Sequence, residues 1–300
     1  MPVVVAILVL VSIAGCNQLL GTSQARHGAC EPDATFAHIA PVGGIDSDLG
    51  VQSAQLSRDE LTIVFSRLTI SGTVDAPISR YGDLYMAHRE HLDDDFHDAV
   101  PLDGLNTNAD ELGASLSDER HLLYFARGGP SLRHQIFAAP LPSPTMPPGE
   151  AVPVALGDAG ESELAPYIAS SAIYFSARRA DGSASLFTAA GQRTSFGPAQ
   201  RLQSLETQAP AGVYGNPVVS LDELTIYFSA PSDNASLPDI WTASRPALDR
   251  PFDAPHAIAE LDTTSGERPA WISEDSCRLY FVTNRTGTGY GVWMASRAAP

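Results

Sequence analysis

Positive charge is scarce in this sequence: Lys and Arg together number 18 against 35 Asp and Glu, a formal charge of −17. A surface of that sign repels phosphate backbones and anionic head groups, which excludes nucleic acid as a partner. Long apolar runs are lacking too. The stretch Pro2 to Ile13 is almost wholly apolar, but it falls short of the roughly 20 residues that a membrane-spanning helix needs. No Gly-x-Ser-x-Gly, phosphate-cradling glycine loop or Cys-His pairing occurs, so nothing points to an activated serine or cysteine nucleophile or to nucleotide binding. What is present is turn chemistry. Gly (24) and Pro (23) are abundant and 44% of residues are hydrophobic, a balance that favours many short elements joined by turns. A length of 300 residues suits one large all-β domain or two ordinary ones.

The amino terminus reads as a targeting segment. No charged side chain precedes Arg26, and a short apolar run of this kind matches the core of a secretory signal. The tetrapeptide Ile13-Ala14-Gly15-Cys16 resembles the lipobox of bacterial lipoprotein precursors. That resemblance implies cleavage before Cys16 and attachment of lipid to its thiol. Several acyl chains anchor a protein stably, because each buried CH2 contributes about 0.8 kcal/mol. The expected organisation is a signal peptide over 1–15, a lipid-anchored linker over 16–35 and one domain over 36–300. The expected location is the cell envelope, on the periplasmic or surface side.

That domain is repetitive. An apolar pair ending in an aromatic recurs five times, as Val64-Phe65, Tyr124-Phe125, Tyr174-Phe175, Tyr227-Phe228 and Tyr280-Phe281. Four of the pairs follow a polar turn that opens at Ser57, Ser117, Ser220 or Ser273, where Ser and Asp side chains can bond backbone amides and close a hairpin. A second column follows in each unit: Leu84-Tyr85, Ile136-Phe137, Leu186-Phe187, Ile240-Trp241 and Val292-Trp293. A third begins with Phe96, Phe196 and Phe252, and its place in the second unit is taken by the Pro-rich segment Pro140 to Pro153. Four short strands per unit at a period near 50 residues are the signature of a propeller blade. Phe36 to Pro41 looks like an outermost strand without a blade, and the unit ending at Ala295 lacks one. Together they close a fifth blade. The expectation is an all-β propeller of five four-stranded blades, or six if one unit is degenerate, sealed by the N-terminal strand.

Closure bears on the two cysteines left once Cys16 carries lipid. Cys277 opens the second strand of the last blade and Cys30 lies six residues before the closing strand. These strand starts lie about 10 Å apart, within reach of six residues. A Cys30–Cys277 bridge is therefore expected, against the alternative of two unrelated thiols.

The unit Pro217 to Ser229, with Ser220, Asp222, Tyr227 and Phe228, followed by Asp239-Ile240-Trp241 and Arg245, resembles the propeller repeat of TolB-type proteins. The likeness runs over residues 36 to 297 and is weakest in the third unit, which lacks the Ser-x-Asp turn. It implies the fold and leaves function open. TolB proteins carry a further N-terminal domain for envelope partners, and this sequence leaves no room for one.

Three acids share one repeat position. Glu111 and Glu267 stand fourteen residues before Phe125 and Phe281, and Glu163 takes the corresponding place. The position lies at the start of an innermost strand, near one mouth of the central channel. The three could bind a ligand's amines or hydroxyls there, or bond backbone amides between blades as structural residues. His88, His91 and His97 accompany Asp93, Asp94 and Asp95 at a spacing that matches no closed metal site, so no metal or other cofactor is expected. Arg89, Arg245 and Arg297 end the second-column strand and are expected to pair with acids between blades. Catalytic groups usually sit in a singular context, whereas these acids repeat. The leading expectation is accordingly a monomeric, non-catalytic, envelope-anchored module that binds a protein or glycan. The alternative is a carbohydrate-active hydrolase using acids at the channel, since five-bladed rings include glycosidases and their reaction needs two carboxyls about 5–10 Å apart.

Overall fold

The computed structural model describes residues 30–31, 34–45, 50–71, 79–117, 121–128, 133–141, 146–157, 162–206, 212–231, 237–287 and 289–298. The signal segment and Cys16 lie outside them. Each blade is an antiparallel sheet, and in the first four the strands run outward in chain order. Blade one holds β2 (Val51–Leu56), β3 (Thr62–Ser71), β4 (Ser79–His88) and β5 (His97–Pro101). Blade two holds β6 (Asp110–Ser117), β7 (Leu122–Gly128), β8 (His134–Pro140) and the short β9 (Val152–Pro153). Blade three holds β10 (Ser162–Ile168), β11 (Ala172–Arg178) and β12 (Ala184–Gln192), with two short outer pieces, β13 (Ser195–Phe196) and β14 (Gln200–Arg201). Blade four holds β15 (Gly215–Val219), β16 (Thr225–Pro231), β17 (Pro238–Ser244) and β18 (His256–Ala257). Blade five joins β19 (Glu267–Ile272), β20 (Arg278–Thr283) and β21 (Gly291–Arg297) to β1 (Phe36–Pro41). The N-terminal strand thus pairs with the C-terminal one, Phe36 opposite Arg297 and Pro41 opposite Trp293. The five-bladed, ring-closed propeller expected from the repeats is the fold observed. Among the described residues no helix is long and apolar enough to cross a membrane.

The repeat columns are the core. Each first-column Phe stands directly across from a second-column aromatic: Phe65 from Tyr85, Phe125 from Phe137, Phe175 from Phe187, Phe228 from Trp241 and Phe281 from Trp293. Cross-strand aromatic pairs stabilise a sheet, and every one of these Phe residues is fully buried. The tyrosine before the Phe projects from the opposite sheet face into the next blade. Ser57, Ser220 and Ser273 shape the hairpins as their chemistry requires. Ser57 Oγ donates to Asp59 and accepts the Thr62 amide at 2.9 Å, and Ser220 and Ser273 repeat both bonds. The closing residue of each turn adopts a left-handed backbone, with φ of 61° at Glu60, 58° at Glu223 and 57° at Ser276.

Tyrosine, glutamate and arginine lock neighbouring blades. Tyr280 of blade five donates its hydroxyl to Glu60 of blade one at 2.8 Å and receives an N–H from Arg89. Tyr174 of blade three does the same with Glu223 and Arg245 of blade four. Arg297 reaches Tyr227 at 3.0 Å. The expected arginine–acid pairing is thereby corrected: all three guanidinium groups meet a tyrosine hydroxyl, and beside Arg89 and Arg245 the neighbouring glutamate accepts from that same hydroxyl, whereas the turn beside Arg297 carries Ser276 in place of a glutamate. Each guanidinium also lies over a third-column ring, Arg89 on Phe96, Arg245 on Phe252 and Arg297 on Phe36, at 4.3–4.5 Å. That geometry explains why Phe heads the outermost strand. Cys30 and Cys277 are joined by a disulfide with 5.8 Å between their Cα atoms, a second tie across the closing blade.

Candidate functional site: the axial bowl

Every innermost strand breaks register once, between Val51 and Ser53, Leu112 and Ser115, Leu164 and Tyr167, Gly215 and Val218, and Pro269 and Trp271. A bulge bends a strand and re-aims its side chains. Here the five bulges turn the chain where it lines the narrow axis. Gly113 (φ 63°) has its neighbour so close that an added Cβ would lie 2.8 Å from Ala165 Cα, so only glycine fits. Beyond the bulges the strand ends flare into a bowl on the axis, on the face that carries the hairpin turns. The bowl encloses about 690 Å³ including its open mouth. Leu56, Val219 and Ile272 close its floor, with Tyr167 and Trp271 beside them, both more than nine-tenths buried. On the rim Arg58 of blade one forms an ion pair with Glu274 of blade five. These two follow Ser57 and Ser273 directly, and the corresponding residue after Ser220 is Leu221. The residue after Ser117 is Asp118, so charge recurs at this position and what distinguishes Arg58 and Glu274 is that they pair across blades one and five.

The three acids of the shared repeat position lie at the other end of the inner strands, and none of them lines the bowl or the channel. Glu111 is wholly buried. It accepts the Thr107 amide and hydroxyl at 3.0 and 2.6 Å and Arg127 Nε at 2.8 Å. Glu267, also wholly buried, accepts hydroxyls from Thr263 and Thr283. Glu163 accepts the Ile136 amide of blade two at 3.2 Å. Burial pushes all three carboxyls above the ordinary glutamate range. The structure keeps the three apart, one in each of blades two, three and five, where they tie down loops and seams.

Among the described residues, two groups of side chains bring metal-ligating atoms together: His88, His97 and Asp98 on the outer edge of blade one, and Asp239, Asp262 and Glu267 where blades four and five meet. In the first, the rings of His88 and His97 lie 4.4 Å apart, and His97 is held by Asp98 and Glu90, which raise its pKa with Asp98 the larger influence. His91, Asp93, Asp94 and Asp95, the rest of the sequence cluster, take no part in it. The second group was not foreseen from the sequence, because its members come from two repeats and three different columns.

No protein-family model matches the chain, and no curated protein matches it. Solved structures do share its ring. A GH43_1 enzyme from Xanthomonas citri complexed with xylotriose is similar over 87% of this chain and 90% of its own, with 13% identity and a TM-score of 0.55. The catalytic domain of the Coprinopsis cinerea GH62 α-L-arabinofuranosidase is similar over 89% and 98%, with 9% identity and a TM-score of 0.53. A putative TolB from Agrobacterium tumefaciens shares 15% identity over 78% of this chain and 69% of its own, with a TM-score of 0.47. The expectation of a non-catalytic module, not an enzyme, is corrected by these neighbours, because the rings matched nearly end to end are those of glycoside hydrolases. The reason it failed is specific. Repetition did mark Glu111 and Glu267 as structural, but Arg58 and Glu274 at the bowl stand in turns that sequence periodicity treats as equivalent.

Proposed function

We propose that this protein is a carbohydrate-active hydrolase that takes its substrate in the axial bowl. The observation that carries the proposal is the bowl itself, an apolar and aromatic floor under a single charged rim, set on a ring whose shape solved glycoside hydrolases share. A sugar offers an apolar C–H face and a hydroxyl-bearing edge, and a depression with an apolar floor and a few polar groups suits both. Glycoside hydrolysis uses two carboxyl groups, and among the described residues Glu274 is the carboxylate that lines the bowl. Glu274 takes one of these two carboxyl roles, and its ion pair with Arg58 fixes its direction. The test is sugar release from a panel of xylo- and arabino-oligosaccharides and envelope glycans. Turnover should fall at least about a hundredfold in Glu274→Gln, with the melting temperature unchanged because the side chain is exposed. No release from any glycan, or full turnover by the variant, overturns the proposal.

The same proposal keeps the chain anchored to the cell envelope through lipid on Cys16. Support comes from the apolar run and the Ile13-Ala14-Gly15-Cys16 sequence. Metabolic labelling with a fatty acid should mark the protein and should leave Cys16→Ser unmarked. An unlabelled parent chain would remove this part.

A further inference from the structure

Among the described residues, the seam between blades four and five brings three carboxylates together, whereas where blades one and two meet, in the same repeat, two of the three places are acidic, Asp83 and Glu111, and the third is Asn106. In blade two, Leu105-Asn106-Thr107 leads to Glu111, and in blade five Leu261-Asp262-Thr263 leads to Glu267. Both arginines that serve these glutamates donate to the leucine carbonyl: Arg127 to Leu105 at 2.7 Å and Arg285 to Leu261 at 2.9 Å. There the likeness ends.

Glu111 uses both oxygens, for the Thr107 amide and for Arg127 Nε. In the strand register Thr283 takes the place of Arg127, and Arg285 follows two residues later. Glu267 consequently directs Oε1 to the two threonine hydroxyls, and Arg285 comes no nearer than 3.6 Å. Glu267 Oε2 and Arg285 Nε are left buried without a hydrogen-bond partner. A buried, ionisable oxygen without a partner is costly. Asn106, moreover, both accepts the Leu84 amide and donates to the Leu84 carbonyl, whereas a carboxylate at its place, Asp262, has no proton to donate.

Asp239, 2% exposed, completes the group, and the ligand oxygens of Asp239, Asp262 and Glu267 all lie within 4.8 Å of one another. We infer that these three side chains bind a divalent hard cation, calcium, which fastens blade four to blade five. Calcium takes oxygen ligands at about 2.3–2.6 Å, so oxygens on its shell lie up to about 5 Å apart. Magnesium, at about 2.0–2.1 Å, needs a tighter set. Three carboxylates beside one guanidinium carry a net charge of −2, which a divalent ion balances. The inference is independent of the hydrolase proposal, because the cluster is at the opposite end of the inner strands from the bowl.

Calorimetric titration of the chelator-treated chain with calcium tests it. One calcium per chain should bind, and the melting temperature should rise about 2–4 °C at tenfold excess over the dissociation constant. Asp262→Asn, a change at an exposed side chain, should weaken binding at least about tenfold while leaving the calcium-free melting temperature at or above that of the parent. Asp249→Asn, an exposed acid on another loop, should bind calcium as the parent does. The inference fails if calcium gives no heat and no melting shift up to about 10 mM, beyond the range of extracellular calcium modules. It fails too if magnesium binds equally well, or if the two variants respond alike.

Discussion

Replacing Glu60 with alanine should open the seam at which the ring closes. Glu60 is 4% exposed and lies between the first and last blades. It accepts Arg278 Nε at 2.9 Å and the Tyr280 hydroxyl at 2.8 Å, and its own carbonyl accepts Arg89 Nε at 2.9 Å. Removing the carboxylate leaves the guanidinium of Arg278, whose side chain is only 14% exposed, with the longer ion pair to the part-exposed Asp275 at 3.7 Å alone, and takes away the acceptor of a buried phenol. Breaking one partner of a buried ion pair costs about 3–5 kcal/mol. At roughly 2–4 °C per kcal/mol for a domain of this size, the melting temperature should fall by roughly 6–20 °C. Thermal unfolding followed by circular dichroism reads the effect. A second variant separates the charge from the packing: Glu60→Ala combined with Arg278→Leu removes both partners and should recover much of the loss, because an apolar pair of similar volume is tolerated where a lone charge is not. A loss below about 1 kcal/mol in the single variant, the scale of an exposed pair, or no recovery in the double one, would refute the account of the seam.

Reduction of Cys30–Cys277 or the substitution Cys277→Ala should lower stability by about 2–4 kcal/mol, seen as a lower melting temperature with reductant in the parent and no reductant effect in the variant. Glu163 should make stability depend on pH. Burial raises its carboxyl in the folded state, so the folded chain holds the proton more tightly than the unfolded one. Stability then falls as pH rises from the ordinary glutamate value, 4.5, through the raised value. Glu163→Gln should flatten melting temperature against pH in that window, and an unaltered profile would contradict the cause assigned. At the bowl, Glu274→Gln should lose turnover without losing stability, and at the far seam Asp262→Asn should lose calcium without unfolding.

Blade count, strand order and ring closure were legible in the sequence because a propeller repeats one packing problem. A Phe at every second strand and an aromatic across from it recur with the period of the blade, and Phe36 to Pro41 could only be the strand that the last unit lacked. The Ser-x-Asp turns were legible for the same reason, since Ser57 and Ser220 solve one local hydrogen-bonding problem within six residues of chain. What the tertiary structure alone decided is how the columns meet across blades. Periodicity placed Arg89, Arg245 and Arg297 beside acids, but only the packed seams show each reaching a tyrosine hydroxyl and lying on a phenylalanine ring. It grouped Glu111, Glu163 and Glu267 as equals, yet a shift of two residues between Arg127 and Arg285 leaves Glu267 with a free buried oxygen and Glu111 with none. The bowl was likewise hidden. Arg58 and Glu274 are 216 residues apart in the chain and become neighbours only because the ring closes blade five against blade one. Local sequence specifies a blade through short-range patterning. The chemistry at the axis and at the seams depends on contacts between residues that no spacing in the chain relates.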